Sequence, residues 1–177
     1  MNQIAVFEKV SYEQFKKDYI NLFYKNNKDG CDEEYLKYIY DSIKLPKRAT
    51  KGSAGYDFFS PISFNLLKNT NYTLPTGIKA KMEDGWVLTM HVRSSSGFKH
   101  GISLANTTGI IDKDYYNNEK NEGHIFVKLS NSDKSFGNDV TIINGDAICQ
   151  GVFLPFGITV DDEANDERKG GLGSTNK

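Results

Sequence analysis

The stretch Thr107-Thr-Gly-Ile-Ile-Asp-Lys-Asp-Tyr-Tyr116 decides how this chain is read. Two apolar residues, Ile110 and Ile111, end at once in Asp112, and Asp114, Tyr115 and Tyr116 follow. The next residues, Asn117-Asn-Glu-Lys120, are too polar for a core. The pattern puts a carboxylate at the mouth of a buried strand with an aromatic face beside it. Gly109 permits a tight turn or a close approach to a ligand. A carboxylate held there can take a proton from water. A hairpin that merely ends in acids would look the same, and this stretch alone does not separate the two.

From Ala49 onward the whole chain shares this texture, with short apolar segments punctuated by Gly, Asn, Asp and Ser. The segments predict strands at Tyr56–Phe59, Tyr72–Leu74, Gly77–Lys81, Trp86–Val92, Ile102–Leu104, Ile125–Leu129, Val140–Ile143, Ala147–Phe153 and Ile158–Val160. Many short strands at this spacing indicate a sandwich, barrel or jelly roll. No segment of crossover length separates them, which argues against a parallel α/β sheet. Asn117–Gly123 and Asn131–Asn138 read as exposed loops.

Before Ala49 the period changes. Ile4–Val10 reads as a short strand. Ser11 and Gln14 stand three apart, as a capping box requires, and Phe15, Tyr19, Leu22 and Phe23 follow at helical spacing. Asp32 caps a second helix with Tyr35, Leu36, Ile39, Tyr40 and Ile43 on one side, ended by Pro46. Residues 1–46 are therefore expected to be an amphipathic extension packed on a main domain of residues 47–160, with a protein-binding appendage as the alternative. Residues 161–177 form an acidic and then glycine-rich arm.

The 177 residues suffice for one substantial core, and 38% are hydrophobic. No apolar run approaches the roughly 20 residues of a membrane span, and the first residues lack a signal segment, so the cytoplasm is the default. Cys31 and Cys149 suggest no disulfide framework, and His91, His100 and His124 have no zinc-like spacing. The formal net charge of -1 gives no bulk attraction to nucleic acid. A small anion remains accessible to a few converging donors.

Such donors do cluster. Arg93-Ser-Ser-Ser-Gly97 follows an apolar strand, and a guanidinium with hydroxyls and turn N–H groups can grip phosphate. Asp57, in Ala54-Gly-Tyr-Asp57, has the chemistry to organise a hydrated divalent ion, or to cap a turn. Gly145-Asp-Ala-Ile-Cys-Gln150 ends in an amide that can hold water. Arg168-Lys-Gly-Gly-Leu-Gly-Ser-Thr175 has backbone donors able to wrap phosphate, or is a frayed terminus. Neither a P-loop nor a dinucleotide-binding fingerprint is present.

In this order, the segments 54–57, 93–96, 109–115, 145–150 and 168–175 resemble the five signature motifs of the homotrimeric dUTPase family. The resemblance covers about residues 47–175, and the helical N-terminus looks like that of a Firmicute or phage branch. It implies an all-β fold, a distorted jelly roll, forming a threefold trimer with each site built at subunit contacts. The reaction implied is dUTP plus water to dUMP and pyrophosphate. Asp112 matches the acid that deprotonates the attacking water, and Gln150 a residue that holds that water. Tyr115 matches the tyrosine whose ring lies under deoxyribose and leaves no room for a 2′-hydroxyl. Asn106, with the backbone of an Ile102–Ile110 hairpin that includes Gly109, and with Ile111 just beyond it, would read uracil. Arg93, Ser94, Ser95 and Gly97 match the phosphate loop. Asp57 matches a carboxylate joined through water to Mg2+. Arg168 matches the γ-phosphate ligand of the arm, in which Gly170, Gly171, Leu172, Ser174 and Thr175 also contact substrate.

This chain departs from the family pattern in three places. Leu172 stands where a phenylalanine commonly stacks over uracil, which implies a looser lid. Asn117 replaces a usual glycine, and Asn tolerates the backbone angles concerned. The Asn117–Gly123 loop is slightly enlarged and reads as surface decoration, with a change of assembly as the alternative. The rival activity is that of a dCTP deaminase of the same fold, which uses a glutamate in the region of Asp112. The net charge and the lack of a long apolar run imply no membrane partner and no direct nucleic-acid partner. Some phage dUTPases also engage regulatory proteins, so such a partner is a further expectation.

Overall fold

The computed structural model describes residues 2–27, 30–132, 138–166, 168 and 170. Strand β1 (Ala5–Lys9) leads into α1 (Tyr12–Phe23) and α2 (Glu33–Ser42). The remaining strands are β2 (Lys47–Arg48), β3 (Tyr56–Phe59), β4 (Phe64–Leu66), β5 (Thr70–Pro75), β6 (Ile78–Met82), β7 (Trp86–Val92), β8 (Ser103–Leu104), β9 (Gly109–Ile111), β10 (Phe126–Asn131), β11 (Val140–Ile142) and β12 (Ala147–Pro155). A short helix, α3 (Ser94–His100), interrupts them.

The largest sheet has the order β2-β3-β12-β7-β9, and β5-β10-β8 forms a second. β1 pairs with β6 and β11 with β4, and the ladders are all antiparallel. The sheets pack over one buried cluster that includes Phe58, Leu66, Leu74, Leu88, Ile125, Leu129 and Ile148. This is a distorted jelly roll.

β7 and β12 organise the large sheet. Leu88, Thr89 and Met90 of β7 are buried in succession, so this strand is covered on both faces. Gly151 faces it from β12. A methyl there would lie 2.8 Å from Leu88 Cδ1 and 2.9 Å from Phe58 Cε2. The missing side chain lets neighbouring strands close over that point.

The helices are part of the same core. Phe15, Leu36 and Ile39 are at most 1% exposed, and each such side chain contributes about 1.5–3 kcal/mol by leaving water. Ser11 caps α1 by accepting from Gln14 N at 3.1 Å. Gln14 does not complete the reciprocal box. Instead Glu122 accepts from Ser11 N at 2.8 Å and Ser11 Oγ at 2.6 Å. Asp32 caps α2 through Glu34 N and Tyr35 N. Tyr35, expected on the packed side, is half exposed.

Three expectations are corrected. Ser94–His100 is helical, not a loop, and Gly101 at φ +64° closes it. The segment around Asn106 is not a hairpin. β8 pairs with β10 and β9 with β7, so the chain turns a corner between two sheets. Ile158–Val160 is not a strand, and Ile158 and Val160 stand exposed. No described helix is long and apolar enough to cross a membrane.

Candidate functional site

The register of three strands builds the first part of the site. Asp57 on β3 is opposite Gln150 on β12, which is opposite His91 on β7. Directly opposed residues share a sheet face, and so does Arg93, two residues beyond His91. Arg93 Nε lies 3.0 Å from Asp57 Oδ1, and Nη2 donates to Oδ2 at 3.4 Å. Asp57, Arg93 and Gln150, with Ser94 and Ser95 at the start of α3, line an open cleft of about 560 Å³. Gly55 also lines it, and a methyl there would sit 2.5 Å from Gln150 Oε1. The glycine therefore leaves the amide its place.

The donors suit an oxyanion better than a bare metal. Arg93 supplies charge, and Ser94 and Ser95 supply hydroxyls. Asp57 is the carboxylate among the lining residues, and both its oxygens face Arg93. Among the described residues, no group of three or more His, Cys, Asp or Glu side chains could hold an ion directly.

The second part lies at the far end of β7. β9 ends at Ile111, and Asp112 opens a single 3-10 turn, Lys113–Tyr115. The Asp112 side chain is 48% exposed. Its Oδ2 accepts from Arg168 Nη2 at 2.6 Å, and Asp114 Oδ1 accepts from Arg168 Nε at 2.8 Å. The same guanidinium lies 5.8 Å from the centre of the Tyr115 ring. The residue matched to a phosphate ligand thus rests on two carboxylates.

Tyr115 is buried, and its hydroxyl is fully used. It donates to the His124 carbonyl at 2.8 Å and accepts from Asn121 Nδ2 at 2.7 Å. Burial pushes its phenol above the usual range, against the smaller opposing pulls of Asn121 and Arg168. The hydroxyl is committed inward. Burial also pushes the Cys149 thiol far up, which leaves it inert beside Gln150.

The Asn117–Gly123 loop is structural, not decorative. Asn118 and Asn121 are buried. Asn121 Oδ1 accepts from Asn118 Nδ2 at 2.7 Å and from Gly123 N at 3.2 Å. Asn117 and Glu122 take positive φ, at +55° and +56°. Gly123 follows at +81°, and a methyl there would fall 2.6 Å from the Tyr115 carbonyl oxygen. Only glycine meets both demands.

Asp57, Arg93, Ser94, Ser95 and Gln150 therefore come together, and so do Ile111, Asp112, Tyr115 and Arg168. Gly97 is not among the cleft's lining residues. Asn106 is exposed at the corner, while Gly109 lies against Met90, where a methyl would be 3.1 Å from its Cβ. Gly170 is buried. Gly171, Leu172, Ser174 and Thr175 lie outside the described residues. Gly55, Asp114 and Asn121 join the site without having been singled out. Gly55 and Asp114 stood inside quoted motifs, but nothing in the sequence marked Asn121.

The two groups are far apart in one chain. Ile111 is opposite Leu88, whereas Gln150 is opposite His91, from the other side of β7. Three to four residues along the strand and two strand spacings across it separate Asp112 from Gln150 by about 15 Å at the backbone.

A family model for dUTPase matches residues 41–176. The deoxyuridine 5′-triphosphate nucleotidohydrolase of Lactococcus lactis subsp. lactis (strain IL1403) is 43% identical over 145 residues, which cover 81% of this chain and 95% of the relative. The crystal structure of dUTPase from Streptococcus mutans superposes with a TM-score of 0.62 at 35% identity, covering 86% of this chain and 97% of that one. A mutant dUTPase from phage phi11 of S. aureus, described as coordinating a structural Mg(II) ion, shares the fold with a TM-score of 0.56. It is 20% identical, covering 71% of this chain and 92% of its own.

Proposed function

This chain belongs to the dUTPase family and hydrolyses dUTP to dUMP and pyrophosphate, and from that premise we propose a site divided between copies of the chain. One copy supplies the cleft of Asp57, Arg93, Ser94, Ser95 and Gln150. Another supplies Asp112 and Tyr115. The observation that carries this is the roughly 15 Å between Asp112 and Gln150, because two side chains that far apart cannot share one water. Exposed Ile110, Leu154, Phe156 and Ile158 offer apolar surface for the subunit contacts of a homotrimer.

In that site the Asp112 carboxylate takes a proton from water as its oxygen bonds to the α-phosphorus. The bond from that phosphorus to the bridging oxygen breaks, and pyrophosphate leaves. Gln150 orients the water through its amide. Arg93, Ser94 and Ser95 hold phosphate oxygens, and Gly97 supports their helix. Bound Mg2+ would neutralise triphosphate charge, with Asp57 holding its water shell. The Tyr115 ring carries the deoxyribose, and Asn106 with the Gly109–Ile111 backbone reads uracil. Arg168 must leave Asp112 before that carboxylate can accept a proton, and the γ-phosphate is the competing anion. Gly170, Gly171, Leu172, Ser174 and Thr175 complete the arm. None of this requires a protein nucleophile.

Subunit mixing tests the division. Asp112→Asn and Gln150→Ala chains should each be nearly inactive alone, Asp112→Asn by about 10²–10⁴-fold. Co-refolded in equal amounts, they should regain activity in about one site in four by random association. Mixed trimers as inactive as either parent would show that each site lies within one chain.

A further inference from the structure

The hydroxyl of Tyr115 rests on the carbonyl of His124, and His124 is itself held from the N-terminal extension. Its ring is fully buried, against Phe15 of α1 and Phe126. Gly77 N donates to His124 Nε2 at 2.8 Å. A backbone N–H can only donate, so Nε2 carries no proton and Nδ1 must. Nδ1 then donates to Asp18 Oδ2, 2.7 Å away on α1. Gln14 Nε2 donates to the same oxygen at 2.7 Å. Gly77 N thus sets the tautomer of His124 and one carboxylate oxygen on α1 holds its ring in place, and the next polar link is the Tyr115 hydroxyl, which donates to the His124 carbonyl at 2.8 Å.

The extension grips this loop elsewhere too. Ser11 binds Glu122 through its N–H and hydroxyl, and Tyr116 donates to Glu8 at 2.7 Å. The family match begins only at residue 41, after Glu8, Ser11, Gln14 and Asp18. The shared catalytic motifs thus lean here on residues outside the matched region.

We infer that Asp18 is a positioning residue for the reaction. Through His124 it sets the height and tilt of the Tyr115 ring, and so the discrimination of deoxyribose from ribose. This rests on the reading of Tyr115 as the sugar platform. Asp18 touches no substrate. A ring held at both its hydroxyl and its backbone cannot retreat from a 2′-hydroxyl, whereas a ring that loses the His124 anchor can. Sugar selectivity should therefore suffer more than the chemical step, whose base is Asp112.

The test is steady-state kinetics of the full-length chain on dUTP and UTP. Asp18→Leu should raise KM for dUTP and increase relative UTP cleavage by about tenfold, with a smaller change in kcat for dUTP. Asp18→Asn retains an oxygen acceptor for both donors and should restore selectivity to near the parent value. A folded Asp18→Leu protein with unaltered selectivity would overturn the inference. So would an Asp18→Asn protein no better than Asp18→Leu. Tyr115→Ile, run alongside, separates the two claims. If it leaves UTP excluded, the platform reading itself is wrong; if it admits UTP while Asp18→Leu does not, only the positioning role fails. A measurement on the unaltered protein stands even if the leucine variant does not fold. The His124 Nδ1–H resonance should shift when α,β-imido-dUTP binds, and an unmoved signal would break the link.

Discussion

The two ends of β7 carry two half-sites made in different ways. At one end Asp57 and Gln150 are placed by ladder register, each on a strand paired on both sides, and Arg93 follows directly on the end of β7. At the other end Asp112 and Tyr115 sit in one short turn after β9, an edge strand of its sheet. What fixes Tyr115 is its hydroxyl, bonded to the Asn121 side chain and the His124 carbonyl, with Asp18 of α1 holding the His124 ring behind them. A ladder distributes its hold over many backbone bonds, whereas a side-chain network fails when one member is lost. The cleft should thus respond to substitution in chemistry alone, and the corner in chemistry and stability together.

The largest separation is expected at Arg93. Arg93→Ala removes the cation of the cleft and leaves the Asp57 carboxylate facing incoming phosphate. Charge-assisted bonds are worth about 1.5–3 kcal/mol each, so kcat/KM for dUTP should fall about 10²-fold. The urea midpoint should move far less than that loss suggests, since the ladders remain. A loss of activity fully accounted for by unfolding would erase the proposed contrast.

Asn121→Ala should show the opposite balance. It removes the donor to the Tyr115 hydroxyl and the acceptor for Asn118 Nδ2 and Gly123 N, all buried. Unsatisfied groups of that kind cost about 1–3 kcal/mol, and the loss should appear as a lowered urea midpoint at unchanged slope. KM for dUTP should rise with it. If Asn121→Ala is as stable as the parent, the corner is held by the chain itself and not by its side chains.

The same contrast explains what could be read from the sequence. β3 and β7 match the apolar runs Tyr56–Phe59 and Trp86–Val92 to the residue, because strand burial writes itself into contiguous residues. The polar clusters were visible for the same reason. Helix α3 was not, since Ser94-Ser-Ser-Gly97 is a poor helix former and is held by its surroundings. Ile158–Val160 has a strand's composition but no pairing partner among the described residues. The distance from Asp112 to Gln150 was hidden because motif order carries no register. Asn121 was hidden because its role is a buried bond to a residue six positions away. The capping box at Ser11 was read correctly as a helix start, yet its closing acid, Glu122, lies 111 positions along the chain.

That acid gives the smallest and most selective way to probe the corner. Burial alone would raise the Glu122 pKa, but Ser11 and Lys79 outweigh it, and the carboxyl titrates below its ordinary 4.5. A group depressed on folding stabilises the folded state above its unfolded value, and that stabilisation is lost as pH falls through the folded one. The bond between α1 and the loop should therefore be intact at neutral pH and weaken below about 4.5. Glu122→Gln cannot accept both Ser11 donors with charge. It should lower Tm by a few degrees at pH 7, and the gap from the parent should shrink as pH drops below 4.5. Because Asp57 is bound to Arg93 and not to the extension, Asp57→Asn measured over the same range should leave the acid dependence of the loop unchanged. A Glu122→Gln gap that stays constant with pH would mean that the carboxylate's charge does not hold the extension to the corner.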